Sequence, residues 1–100
     1  MSWQLLTRPQ VEADIDQGAD WYDERESGLG AEFAREVWST IDRIAKNPLL
    51  YRVLHSRLLV RWVIPERFPY RIVFTVAGRV VIVVGVIHAK RRDREWKNRL

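Results

Sequence analysis

The chain has 100 residues, of which 47% are hydrophobic, and this length and composition suit one domain with one core. It contains no cysteine, which excludes disulfides and thiolate chemistry and is typical of the reducing cytoplasm. The longest apolar run, residues 80–87, is far shorter than the roughly twenty residues of a membrane helix, and the N-terminus lacks the pattern of a signal peptide. We therefore expect a single cytoplasmic domain over residues 1–100, with no membrane partner.

Charge is divided unevenly along the chain. Residues 1–51 carry five Lys/Arg against ten Asp/Glu, whereas residues 52–100 carry twelve against three. Ten of those twelve are arginines, whose planar guanidinium pairs well with phosphate and carboxylate groups. The second half is therefore predicted to meet an anionic partner, although charge alone does not identify the anion.

The first half of the chain has the pattern of two helices. Residues 3–7 form a short apolar segment typical of an edge strand, and apolar residues then recur at helical spacing from about 9 to about 26. Residues 27–30 contain two glycines that break this helix, and a second helix runs from about Ala31 to the Asn47-Pro48 stop. Two amphipathic helices joined by a short loop predict an antiparallel hairpin.

The second half changes to strand periodicity. Apolar residues alternate with others over residues 58–64 and again over residues 68–76, which predicts two adjacent antiparallel strands. Residues 80–87 are β-branched without alternation, as in a central strand buried on both faces. The sequence therefore predicts an α+β fold, in which an N-terminal antiparallel helical hairpin packs on a small antiparallel β-sheet.

The C-terminal tail, residues 91–100, is predicted to form a short helix with Trp96 and Leu100 facing inward. A helical hairpin covers only one face of a small sheet. The other face must be covered by this tail, by a partner, or by both.

Three stretches of the chain together resemble one known family. They are Trp21-Tyr22 followed by Gly28-Leu29-Gly30, Phe33 and Asn47-Pro48; then Phe68-Pro69-Tyr70-Arg71-Ile72-Val73-Phe74; and finally Val86-Ile87-His88-Ala89-Lys90-Arg91-Arg92 leading to Trp96. In this order they resemble the RelE/ParE toxin superfamily, and particularly its ParE-like branch, over nearly the whole chain. The resemblance implies the fold predicted above, growth arrest by a type II toxin, plasmid stabilization, and a hetero-oligomer with a cognate antitoxin.

The resemblance leaves the target open, because fold does not determine function. ParE-like proteins poison DNA gyrase. Our leading hypothesis is therefore that the chain is a non-enzymatic inhibitor of DNA gyrase. The first alternative is a RelE-like endonuclease that cuts mRNA in the ribosome. The second is a non-toxic RNA- or protein-binding module on the same fold.

Candidate site residues follow from strand parity and from the resemblance. Arg71 lies on the strand face opposite the main core and matches the arginine that clamps phosphate in RelE-like enzymes; the other reading is an antitoxin contact or a surface charge. Arg61 has the same parity on the neighbouring segment. Lys90, Arg91 and Arg92 form a basic corner that either contacts the target or is a solvated charge run.

His88 has the pKa range for proton transfer near neutrality, although single histidines at strand ends are more often structural. The nuclease reading therefore assigns catalysis to Arg71, Arg61, Arg91 and His88. Trp96 stands where RelE-like nucleases often have a tyrosine, and an indole cannot act as a base, which favours the ParE-like branch. Trp62, Arg61 and Trp96 are the predicted antitoxin contacts, and we expect no cofactor and no metal.

Overall fold

A computed structural model describes residues 3–100 of the chain. In chain order it contains β1 (Gln4–Thr7), α1 (Pro9–Arg25), α2 (Leu29–Lys46), a 3₁₀ turn (Pro48–Leu50), β2 (Arg61–Val63), β3 (Tyr70–Ala77), β4 (Val80–His88) and α3 (Arg94–Lys97). The predicted α+β class, with its helical hairpin, sheet and short C-terminal helix, is confirmed. Among residues 3–100, no helix combines the length and the apolar character needed to span a membrane.

The helical hairpin forms where the apolar periodicity places it. Pro9 opens α1, where its missing N–H would have no helical partner anyway. Gly28 joins the helices at φ 89°, a left-handed conformation that glycine adopts without strain. The Asp23 carboxylate accepts a hydrogen bond from the Gly30 N–H at 2.8 Å and so caps the start of α2. Both helices bury apolar side chains against the sheet: Val11, Ile15, Phe33, Val37, Ile41 and Ile44.

The strand order across residues 3–100 is β1-β4-β3-β2. β3 pairs antiparallel with β4 and with β2, but β1 runs parallel to β4, so the sheet is mixed rather than wholly antiparallel. Parallel neighbours need a long connection, and the chain between β1 and β4 contains the whole hairpin. β4 is the central, buried strand that its β-branched composition predicts.

The strand predicted over residues 58–64 is much shorter in the structure. Leu58 and Leu59 belong to a turn, because Leu59 adopts a positive φ of 54° that a strand does not accommodate. Regular pairing begins only at Arg61 and ends at Val63, before Ile64-Pro65, where proline has no N–H to donate.

The core has one cluster on each face of the sheet, and a bulge in β4 contributes Val84 to the second cluster. Val73 pairs with Gly85 and Phe74 with Val83, so Val84 is the extra residue on β4. Val83 packs on the hairpin side, whereas Val84 packs on the opposite side in a second cluster. The members of that cluster are Val60, Val73, Val84, Ile87 and Trp96.

The C-terminal tail covers the second face of the sheet. Trp96 on α3 is fully buried there, as the sequence predicts. Leu100 is 45% exposed, so its predicted inward orientation is wrong: the short helix has already ended at Lys97. The face opposite the hairpin is therefore largely sealed by the chain itself.

Candidate functional site

Arg71, the leading candidate from the sequence, lies beneath the tail. Strand parity places it on the predicted face, but the residue is only 7% exposed. Its Nη1 donates to Asp93 Oδ1 at 2.9 Å, and its Nη2 donates to the Arg91 carbonyl at 2.7 Å. The guanidinium also lies 5.3 Å from the ring centroid of Trp62. The outward-facing arginine predicted from the sequence is instead a buried anchor for the tail.

The electrostatics of this anchor agree with its geometry. The hydrogen bond from Arg71 lowers the pKa of the Asp93 carboxyl below its ordinary value, against the opposing effect of burial. Arg71 Nε is buried and has no hydrogen-bond partner within the described part of the chain. The charge of Arg71 is thus compensated by the tail and is not displayed to a phosphate.

A second anchor ties the tail to α1. Arg99 Nη1 donates to Asp14 Oδ2 at 2.5 Å and Arg99 Nη2 to Asp14 Oδ1 at 3.1 Å. Asp14 Oδ2 also accepts the Val86 N–H at 2.9 Å. β1 pairs with β4 only as far as Val83, so the Val86 N–H lies beyond the end of β1. The Asp14 carboxylate accepts the hydrogen bond that a carbonyl of a neighbouring strand would otherwise accept. The hydrogen bond with Asp14 raises the pKa of Arg99.

Gly85 makes room for this second anchor. A Cβ added at Gly85 would lie 2.7 Å from Arg99 Nη1 and 3.1 Å from a methyl carbon of Ile87. The Asp14–Arg99 pair is not predictable from sequence periodicity, because the two residues are far apart in the chain. The one local signal is a glycine inside an otherwise β-branched strand, which often marks a bulge or a close approach.

The three predicted antitoxin contacts differ in burial: Trp96 is fully buried, whereas Trp62 and Arg61 are half-buried. Trp96 is buried, with its ring centroid 6.1 Å from that of Trp62 and 5.7 Å from that of His55. Contact between Trp96 and an antitoxin would therefore require α3 to move, and the antitoxin role of this residue stays a prediction. Trp62 is half-buried, and Arg61 lies beside it with its Nε donating to the Tyr51 carbonyl at 2.8 Å.

His88 and Arg91 meet at a cleft of about 320 Å³ between α1, the paired ends of β3 and β4, and the tail. Trp21 and Tyr70 also line it. The Tyr70 and His88 rings pack edge to face with centroids 5.2 Å apart. Lys90 and Arg92 are exposed beyond the end of β4, but neither lines the cleft.

The groups of the cleft limit its chemistry. His88 Nδ1 accepts the Lys90 N–H at 3.1 Å, so the neutral imidazole carries its proton on Nε2. Burial raises the pKa of Tyr70, with the Arg91 charge acting in the opposite direction, so the phenol stays protonated near neutral pH. Arg91 is exposed and lies 3.8 Å from Glu95. The cleft therefore combines aromatic rings with two arginine–carboxylate pairs, Arg91 with Glu95 and Arg99 with Asp14.

The sequence-predicted catalytic set is thus dispersed in the structure. His88 and Arg91 come together at the cleft, Arg71 lies under the tail, and Arg61 lies at the β2 edge.

A helical hairpin on this mixed sheet, closed by a short C-terminal helix, defines a RelE/ParE-like toxin domain. The model of the family described as the ParE toxin of the type II toxin-antitoxin system, parDE, matches residues 5–93. The chain therefore belongs to the ParE toxin family.

Comparison of structures agrees with the family match. The fold is similar to a chain in the structure of the chromosomal ParDE TA system from P. aeruginosa, with a TM-score of 0.80 and 15% sequence identity. The match covers 89% of this chain and 98% of that chain. No curated protein sequence matches the chain significantly.

Proposed function

We propose that this ParE toxin arrests growth by inhibiting DNA gyrase without cutting nucleic acid, and that a cognate antitoxin binds and neutralises it in the cytoplasm. The observation that carries this proposal is the state of Arg71. Its guanidinium is held by Asp93 and by the Arg91 carbonyl beneath the tail. The phosphate clamp that a RelE-like nuclease requires is therefore engaged inside the protein.

The chemistry of RNA cleavage makes this separation important. The reaction needs a base at the 2′-hydroxyl, an acid at the leaving 5′-oxygen and positive charge at the phosphate between them. Arg71 does not line the cleft that His88 and Arg91 share. An inhibitor that acts by binding needs no such convergence.

The test is expression of the chain without its antitoxin, followed by a supercoiling assay with the purified protein. We expect growth arrest, DNA breaks in the arrested cells and loss of gyrase supercoiling of a relaxed plasmid. The antitoxin-bound complex is the matched control and should leave supercoiling intact. Growth arrest with unaffected gyrase at saturating toxin would refute the proposed target, and the absence of growth arrest would favour the non-toxic binding module.

The RelE-like alternative rests on the cleft, where His88, Arg91 and Tyr70 meet. Under that hypothesis, His88→Ala abolishes transcript cleavage in ribosome fractions, whereas His55→Ala does not, because His55 lies against Trp96 outside the cleft. Intact transcripts in cells arrested by the unmodified toxin would exclude this alternative.

A further inference from the structure

The outer surface of the C-terminal tail carries cations that its own acids do not neutralise. Residues 90–97 contain five Lys/Arg and only two acids. Asp93 accepts a hydrogen bond from Arg71, which comes from β3, and Glu95 lies 3.8 Å from Arg91. Both acids are therefore already paired. The four other cations are exposed and form no salt bridge within residues 3–100, and we call them the basic tail surface: Lys90, Arg92, Arg94 and Lys97.

The basic tail surface stands on an ordered backbone. Trp96 is buried in the second core cluster, and the Arg99–Asp14 pair fixes the far end of the tail. The Lys97 N–H donates to the Asp93 carbonyl at 3.0 Å and closes the helical turn between these anchors. The cations are therefore presented from a folded support, which lowers the entropy lost when a partner binds.

The poverty of apolar groups in the tail indicates what kind of anion binds there. Of the large hydrophobic side chains exposed across residues 3–100, Leu100 alone lies in the tail. The centre of a protein–protein interface is rich in aromatic and apolar groups and depleted of charge. Contacts to a nucleic-acid backbone are instead made by Arg and Lys with phosphate oxygens. The tail surface is therefore suited to phosphates rather than to an acidic protein.

The distribution of charge over the molecule favours the same partner. Ten of the thirteen acids lie in residues 1–51, and three of them follow one another at helical spacing on the exposed side of α1: Glu12, Asp16 and Asp20. The hairpin packs on one face of the sheet and Trp96 of the tail on the other. A polyanion is thus repelled by the hairpin and attracted to the tail, which orients the protein on it.

We propose that the basic tail surface contacts the phosphate backbone of the double-stranded DNA that gyrase holds while the toxin is bound. The inference rests on the proposed function, because gyrase brings the DNA to the toxin. Arg92 and Arg94 donate to phosphate oxygens from their planar guanidinium groups, and Lys90 and Lys97 add point charges. Backbone contacts of this kind read no bases, so the base sequence of the DNA has no effect on them.

The number of cations determines how strongly the tail binds DNA by itself. Four phosphate contacts give a slope of about −3.6 in log K against log salt concentration, so doubling the salt weakens binding about twelvefold. Non-specific DNA binding at physiological salt has a Kd of about 10⁻⁴–10⁻⁶ M even for proteins with more contacts. The tail surface therefore acts when gyrase binding raises the effective concentration of DNA next to it.

The first test measures binding of the full chain to a short fluorescently labelled DNA duplex at low salt. Two double variants each remove two cations and keep side chains of similar length: Arg94→Gln/Lys97→Gln and Lys90→Gln/Arg92→Gln. Each should bind at least about tenfold more weakly, and its salt slope should be shallower by about 1.8. The matched control is Arg35→Gln/Lys46→Gln, which removes two exposed charges from α2 and should bind as the unmodified chain does.

The second test measures binding of the same proteins to purified gyrase, with and without a bound DNA fragment. The unmodified chain and the α2 control should bind the gyrase–DNA complex at least about tenfold more tightly than gyrase alone. Both tail variants should bind gyrase alone normally and lose most of this gain from DNA. Circular dichroism checks that every variant is folded.

Each outcome bears on the inference separately from the proposed function. Equal affinity of the unmodified chain for gyrase with and without DNA overturns the inference and leaves gyrase as the target. Unchanged duplex binding in both tail variants also overturns it. If the chain does not bind gyrase in either state, the proposed target is refuted and the inference fails with it. If the four cations instead bind the chain to ribosomes, the phosphates are those of RNA and the inference is wrong.

Discussion

The Asp14–Arg99 pair offers a direct measure of how firmly the tail is held. The perturbation is Asp14→Ala, which removes the acceptor of two hydrogen bonds from Arg99 and leaves the Val86 N–H without its partner. Net hydrogen bonds to charged groups contribute about 1.5–3 kcal/mol each, and an orphaned buried donor costs about 1–3 kcal/mol. Both side chains are partly exposed, so Arg99 regains some hydration when released.

We therefore expect Asp14→Ala to lower the free energy of unfolding by about 2–3 kcal/mol, a large share of the roughly 5–15 kcal/mol of a small domain. The assay is urea denaturation at neutral pH, with Arg99→Ala and the double variant completing a double-mutant cycle. The coupling free energy between the two side chains should be about 1–2 kcal/mol. A coupling near zero would show that the tail is not held through this pair and would refute the reasoning.

Two further predictions concern the rest of the tail. The pKa of Asp93 is lowered in the folded state, so its ionised carboxylate stabilises the fold at pH values above the ordinary aspartate pKa. This contribution to the free energy of unfolding is lost as the pH falls through the folded-state pKa. The Asp93→Asn variant should therefore be less stable than the unmodified chain at neutral pH, and it should lose less stability on acidification below about pH 4. Thermal melts over a pH series measure both effects. Parallel pH profiles of stability for the two proteins would contradict this prediction. The Trp96→Ala variant should lower the free energy of unfolding, measured by urea denaturation, by about 3–5 kcal/mol, because it empties the centre of the second core cluster. A loss below about 1 kcal/mol would mean that the tail is not docked in solution.

The sequence predicts the hairpin and the central strand well because both have strong periodic signals. The turn at Gly28 and the β-branched run of β4 are local properties of the chain, and the structure places both where they were expected. The parallel pairing of β1 with β4 was not foreseen, because the apolar pattern of a short strand does not specify its neighbour or direction. The predicted strand over residues 58–64 was too long, because alternation of apolar residues continues through the turn at Leu59.

The candidate site shows a second limit of sequence reasoning. Parity correctly placed Arg71 on the face away from the hairpin, but it gave no information about what covers that face. The tail covers that face: Asp93 and the Arg91 carbonyl, which follow β4 in the chain, accept hydrogen bonds from Arg71 on β3. Such contacts depend on tertiary packing between distant segments, and no periodicity encodes them.

The position of β4 in the chain has a consequence for folding during synthesis. β4 pairs with β1 and β3 and packs against the tail, yet it follows both helices of the hairpin in the chain. A chain still attached to the ribosome therefore carries its amphipathic hairpin before the sheet that covers it exists. Until β4 has been synthesised, the apolar faces of the two helices have no complete sheet to pack against and stay open to other binding partners.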